Sequence, residues 1–485
     1  MKKIISLLAS LIVVFAGTAT VFAEEHGAEH TNLGDTLPLW SVIPFVCMLL
    51  SIAIIPLVKP HWWEHNLLKV ALFWAAVFLI PFGIGYGVKE LTFQVLEIVL
   101  LDYLPFIVLL LGLFVAAGGI AVKGTIAGTP KVNLILLLIG TLLASWVGTT
   151  GAAMLLIRPV IRANAWREKK AHVIIFFIFL VANIGGCLTP VGDPPLFLGF
   201  LRGVPFFWTM KLMPILAFAV VVLGIVFFVV DTVLYKKEIV AGRTPAGENV
   251  EKEPIRIEGA HNFIFIIMVV GSVILNGVLS SNPMFANLET RELYGINIGG
   301  VVMPYTSIIQ MAIILVAAGL SMKTTKKEVR EANAFTFAPI EEVAKLFIGI
   351  FITMIPALAL LKAHGASLGL EHPYQFFWAT GTLSGFLDNA PTYLVFLTTA
   401  GGAHFAGGVH TTVGTVPVLD LMAISAGAVF MGALTYIGNA PNFMVKSIAE
   451  ENKIKMPSFF GYMAWSFGIL VPLFLGITAV FFLHK

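Results

Sequence analysis

Apolar runs about 20 residues long recur along nearly all of this 485-residue chain, and that is the length a helix needs to cross a hydrocarbon core. They fall near 38–58, 67–86, 103–122, 132–157, 172–200, 212–231, 261–281, 297–321, 341–361, 374–399, 417–445 and 459–482. Hydrophobic residues make up 58% of the chain and charged residues 12%, with a mean hydropathy of +0.94. A soluble domain carries about twice that share of charge. The expected fold class is therefore an all-α polytopic membrane protein. Its net charge of +3 says little, because the placement of charges sets orientation. Cys47 and Cys187 both lie inside apolar segments, which argues against a disulfide framework or a thiolate metal site. "GIGYG" (83–87) has no strand before it and reads as small residues on a packed helix, and no Walker A sequence is present. Nothing here reads as an enzyme, a cofactor site or a nucleic-acid surface.

The extreme N-terminus has a separate pattern. A basic "MKK", a short apolar stretch and small residues before "EEH" fit a signal peptide over 1–23. An external tail over 24–37 comes next, in which His26 and His30 stand beside acids. Cleavage would leave the new N-terminus outside a bacterial cytoplasmic membrane. Loops 158–170, 235–261, 323–335 and 446–455 then fall inside, and they hold nearly all the clustered Lys and Arg. The outer loops 24–37, 282–296 and 401–416 hold only Arg291, while His404 and His410 sit in the last of them. That is the positive-inside pattern.

This orientation requires that segments 132–157 and 374–399 enter and leave on the same side, as re-entrant hairpins. Each is interrupted at mid-length, by "SWVGTTGAA" (145–153) and "SGFLDNAPT" (384–392). Two further segments are interrupted by "TPVGDPPLF" (189–197) and "TYIGNAPNF" (435–443), which match at an offset of 246 (435 − 189). The hairpin breaks match at 240 (388 − 148), with Gly148 against Asp388 and Thr149 against Asn389. The chain thus divides into a first transmembrane repeat over 38–232, a cytoplasmic linker over 233–260 and a second repeat over 261–483. Five crossings per repeat, an odd number, make the second an inverted copy. Each copy carries one re-entrant hairpin and one discontinuous helix. Irregular backbone at membrane depth is tolerated only inside protein or beside a water-filled cavity, and paired breaks in inverted halves mark the binding site of a secondary transporter.

Asp388, at the apex of the second hairpin, stands out among residues that could carry chemistry. An ionised carboxylate near the bilayer centre costs about 2.5–3.5 kcal/mol on insertion scales, and proton and cation compete for it. Asp193 stands at the other break, where its repeat mate is the neutral Asn439. It reads either as an ion contact or as the cap of the half-helix beginning near Pro194 and Pro195. Asn389, Thr392, Thr149, Thr150, Thr189, Thr435 and Asn442 supply oxygen ligands at the same breaks, and Gly192 and Gly438 supply the bends. Such a set suits an alkali cation, so sodium is expected at Asp388, Asn389 and Asp193. Asn183 and the glycines at 185 and 186 read as a place of close helix approach. Asp102, Glu97 and Asp420 sit near helix ends, where acids have ordinary structural explanations.

With breaks at "GTTGA", "LDNAPT", "TPVGDPP" and "IGNAPN", the chain resembles the ion transporter superfamily over essentially all of 38–483. That group holds NhaD-type sodium/proton antiporters, citrate and dicarboxylate carriers and arsenite pumps. "LDNAPT" and "PVGDPP" are most similar to the NhaD-type and citrate-transport branch. The resemblance implies a scaffold part, a mobile part holding the hairpins, and often a homodimer. Carboxylate carriers of the superfamily have Ser-Asn-Thr at both hairpin tips, whereas these tips read Gly-Thr-Thr and Asp-Asn-Ala. The expected activity is sodium/proton antiport by alternating access, with Asp388 as principal ion carboxylate and sodium and protons as the transported ions. A sodium- or proton-coupled citrate or dicarboxylate symporter is the alternative.

Overall fold

A computed structural model describes residues 33–244, 253–287, 289–290, 292–403 and 407–483. The signal peptide, His26, His30, Arg291 and His404 lie outside the described residues, as does most of the external tail. Among the described residues, nine helices are long and apolar enough to cross a membrane. The fold is an all-α polytopic membrane protein.

In the first half, α1 (Ile43–Val58) is followed by α2 (Pro60–Glu97), and a π-helical turn over Ile98–Tyr103 joins α2 to α3 (Leu104–Ala117). Segments 67–86 and 103–122 are two helices that meet at Gly87, and the second starts just after it, about 15 residues before the apolar run at 103 begins. Gly87 separates them, with φ 87° and ψ 159°, values open to glycine and costly for other residues. The run at 83–87 is a kink, and Gly85 has no atom within 4 Å of where a Cβ would stand.

Next come α4 (Pro130–Val147) and α5 (Thr149–Ala163), then α6 (Ala171–Leu180), a 3-10 turn over Ile184–Leu188, α7 (Pro194–Leu201) and α8 (Met213–Val240). The second half opens with α9 (Asn262–Leu279), α10 (Tyr305–Thr324), the short α11 (Lys327–Ala332) and α12 (Ala338–His364). It continues through α13 (Pro373–Phe386), α14 (Asn389–Gly402), α15 (Val418–Met431), a 3-10 turn over Gly432–Leu434, α16 (Ala440–Glu451) and α17 (Phe459–Ile477). Helix, break, two helices, 3-10 turn and half-helix therefore recur in the same order in the two halves.

Among the described residues, three two-stranded ribbons occur in the connections, where only helices and loops are expected. β1 (Ala121–Lys123) pairs with β2 (Arg256–Glu258), so the linker folds back on the first half. β3 (Gly295–Ile298) pairs with β4 (Val301–Pro304) across Gly299 and Gly300, both at positive φ. The apolar run read as a helix from 297 consequently begins its helix only at Tyr305. β5 (Val409–Thr411) pairs with β6 (Gly414–Val416).

Each break has a local cause. At Gly148, φ is 80° and ψ is 149°, which no helix contains, so α4 stops and α5 restarts. α7 starts with Pro194 and Pro195 in its first turn, where a missing N–H costs no helical bond. The prolines at 194 and 195 are helix starters. α16 repeats this with Pro441.

The open end of the first hairpin is tied to α8 by a buried network. Asp231 accepts from Arg167, from His172 Nε2 at 2.8 Å and from Asn133 Nδ2 at 3.0 Å, while Asn133 and Asn164 exchange amide bonds. These residues come from both hairpin arms and from α6. Asp102, in the π turn, pairs with Arg202 at 2.6 Å, which joins the end of α7 to the long first-half helix.

Candidate functional site

The four interruptions converge on Asp193. Its Oδ1 accepts a hydrogen bond from Thr149 Oγ1 at 2.8 Å and another from Asn439 Nδ2 at 3.2 Å. Its Oδ2 accepts from Asn389 Nδ2 at 2.7 Å. One donor thus arrives from each of the other three breaks: the first hairpin, the second hairpin and the second discontinuous helix. Thr149 and Asn389 are repeat mates of one another, and Asn439 is the repeat mate of Asp193 itself. All four residues are buried. Among the described residues, none of the ion pairs of the structure involves this carboxylate.

Local sequence explains why Asp193 is free for this role. It holds the N-cap position of α7, yet its side chain makes no capping bond. Pro194 and Pro195 come next, and neither has an N–H to offer. The N–H of Leu196 goes to the Asp193 backbone carbonyl at 3.1 Å. The capping alternative for Asp193 is therefore not realised.

Asp388 has the opposite arrangement. It caps α14, with its carboxylate accepting from Ala390 N at 3.0 Å. The residue is half-buried. Asn389 and Ala390 both carry N–H groups, so the cap can form. Asp388 is the chain neighbour of Asn389, whose side-chain amide reaches Asp193. The site therefore holds two acids, one turned into the junction of the four breaks and one closing a helix end beside it.

Thr189 and Thr435 act as staples. The Thr189 hydroxyl donates to the Ser145 carbonyl, and Thr435 Oγ1 donates to the Gly385 carbonyl at 2.6 Å. Each ties a discontinuous helix to the hairpin of its own half, through equivalent bonds. Gly192 and Gly438 allow the same close approach. A Cβ on Gly192 would stand 2.2 Å from the Gly186 carbonyl oxygen, and one on Gly438 would stand 2.5 Å from that of Gly432. The backbone also joins across the first pair, with Thr149 N donating to the Gly192 carbonyl at 2.8 Å.

The hydrogen bonds of the other expected site residues go to groups other than the Asp193 carboxylate. Asn442 donates to the carbonyls of Gly432 at 2.8 Å and Thr435 at 2.9 Å, which shapes the second break. The Thr392 hydroxyl bonds back to the Asp388 carbonyl at 2.8 Å within its own helix. Thr150 is half-buried next to Thr149. Asn183 belongs to the same network, although its sequence context marks it only as a packing residue. It donates to Asn442 Oδ1 at 2.7 Å and accepts from Asn439 at 3.3 Å, so it links the two discontinuous helices. A lone asparagine, fully buried just before Gly185 and Gly186, is the signal that distinguishes it.

Membrane-length helices interrupted in pairs, with every interruption reaching one buried acid, define a multi-pass membrane transporter. The chain belongs to the family described as "Putative citrate transport", whose profile matches residues 34–482. No curated protein matches the chain.

Proposed function

We propose that the chain is a secondary active transporter exchanging sodium for protons by alternating access, with Asp193 as the carboxylate for which the two ions compete. The observation that carries this reading is a buried carboxylate that gathers three neutral donors and has no cationic partner among the described residues. Such a group is stabilised by whichever positive species reaches it, a proton or a metal ion, and it holds only one of them well at a time. The ligands around it are hard oxygens. Thr149 offers a hydroxyl, and Asn389 and Asn439 each offer an amide oxygen once the amide turns over. That chemistry selects an alkali cation over a transition metal.

The family description supports a second reading, a sodium- or proton-coupled symporter of citrate or a related carboxylate. An anion would have to settle beside two acids, Asp193 and Asp388, without a basic side chain to receive it. For that reason antiport is the favoured reading. In either case the matched breaks support two inverted repeats with re-entrant hairpins, and the superfamily resemblance supports a homodimer. The charge pattern supports a bacterial cytoplasmic membrane with the N-terminus outside. The two readings separate in everted membrane vesicles. Antiport requires that sodium dissipate an imposed pH gradient, and that Asp193→Asn abolish the effect. Labelled citrate uptake without sodium-driven dissipation would overturn it.

A further inference from the structure

Asn439 reaches Asp193 through an amide whose orientation is fixed from its far side. Its Nδ2 donates to Asp193 Oδ1 at 3.2 Å, and also to the Ala182 carbonyl at 3.1 Å and to Asn183 Oδ1 at 3.3 Å. A carbonyl oxygen can only accept, so the nitrogen of the amide must be the atom that faces it. The same argument fixes the next two amides. Asn183 turns its Nδ2 to the Ile178 carbonyl at 2.8 Å and to Asn442 Oδ1 at 2.7 Å, which leaves its oxygen for Asn439. Asn442 turns its Nδ2 to the carbonyls of Gly432 and Thr435, which leaves its oxygen for Asn183. Three buried asparagines thus form a relay in which a backbone carbonyl sets the direction of each one.

The other amide at the site has no such anchor. Among the described residues, the Asn389 side chain makes one hydrogen bond, to Asp193 at 2.7 Å. Turning that amide to offer its oxygen to a cation gives up this bond alone. Turning the Asn439 amide gives up three bonds and sets its oxygen against those of Ala182 and Asn183. The restraint exists in one half only. The position equivalent to Asn183 in the second half (183 + 246 = 429) is Val429, whose side chain has no polar atom.

We propose that Asn183 is a positioning residue of the cation site. It keeps the Asn439 nitrogen turned toward Asp193, so that Asn389 turns over as the ion arrives while Asn439 resists, and sodium is held less tightly than the oxygens present would allow. This rests on the reading of the chain as a cation-coupled transporter, and it adds a residue that sets the affinity of the site.

The test is equilibrium binding of radioactive sodium to the full-length protein in lipid nanodiscs, with choline holding the ionic strength constant. Asn183→Leu keeps a side chain of similar size and removes the acceptor. It should lower the sodium concentration for half-saturation about fivefold, the change that one neutral hydrogen bond supplies. A purely structural role predicts the reverse, since a loosened site binds less tightly. Asn183→Ser has its hydroxyl one bond nearer the backbone than the amide oxygen, so it also withdraws the acceptor. It should tighten binding in the same direction, and it decides the matter if the leucine variant fails to fold. In an Asn439→Leu background, Asn183→Leu should leave binding unchanged, because the residue acts through that amide. Unchanged or weaker binding in the Asn183 variants, or an equal gain in the Asn439→Leu background, overturns the proposal and leaves the antiport reading in place. A wild-type protein that binds no sodium overturns both.

Discussion

Asn439 donates its side-chain amide to Asp193, its own repeat mate 246 positions earlier, at 3.2 Å. The two halves therefore meet tip to tip, and the one position where they differ in charge is where they touch. An acid on both sides would set two carboxylates against each other, and an amide on both sides would leave no charge to carry an ion. In the proposed antiport, this asymmetry is what lets the junction hold one cation.

Exchanging the pair tests that asymmetry. Asp193→Asn should lower sodium-driven proton flux about 100-fold, equivalent to about 2.8 kcal/mol. The double variant Asp193→Asn/Asn439→Asp returns a single acid to the same junction and should recover part of the flux. Dissipation of a pH gradient in everted vesicles measures both. A double variant no better than Asp193→Asn would show that the carboxylate's side of the junction matters more than its presence.

Removing a donor should weaken the site without emptying it. A hydrogen bond to a charged group contributes about 1.5–3 kcal/mol, so Thr149→Ala should shift the sodium concentration for half-maximal exchange about 30-fold, if the lost bond is worth about 2 kcal/mol. Thr149→Ser keeps the hydroxyl and should shift it little. Sodium titrations of the two variants against wild type supply the comparison.

Asp388 separates stability from transport. Its carboxylate caps α14 through Ala390 N, and loss of such a cap costs about 1 kcal/mol. Asparagine caps as well as aspartate does, so Asp388→Asn should melt near the wild-type temperature, whereas Asp388→Ala should melt lower. If Asp388 also serves the ion by its charge, both variants will transport more slowly by the same factor. Thermal melts paired with flux measurements distinguish the two contributions.

The glycines at the bends should not tolerate a methyl group. With a Cβ 2.2 Å from the Gly186 carbonyl oxygen, Gly192→Ala should destabilise by about 1–3 kcal/mol, the usual cost of overpacking. Gly438→Ala should behave alike. Gly468 lies within α17, where a Cβ would meet nothing within 4 Å, so Gly468→Ala should be neutral or stabilising and serves as the control in thermal unfolding.

Much of this site is legible in the sequence, because glycine and proline have local effects that no tertiary context removes. Gly148, "GDPP" and "GNAP" place the breaks, and their matched spacing pairs them. The relative roles of Asp193 and Asp388 are harder to read, since both precede a restarting helix. The deciding signal lies in the next two residues of the chain. Pro194 and Pro195 deny Asp193 a cap, while Asn389 and Ala390 supply one to Asp388. Asn183 reads only as a place of close helix approach, because its partners, Asn439 and Asn442, lie 256 and 259 positions away. The helix starts just after Gly87 and at Tyr305 are missed for another reason. Hydropathy does not show a helix that begins in the polar stretch after Gly87, nor does it distinguish an apolar ribbon from the start of a helix.

The most direct measurement is proton release from the purified, weakly buffered protein when sodium is added, with choline as the control. If one carboxylate exchanges a proton for a sodium ion, wild-type protein should release about one proton for each sodium bound, because the two ions compete for a single group, and Asp193→Asn should release none. Sodium binding without proton release, or release undiminished in Asp193→Asn, would contradict the account.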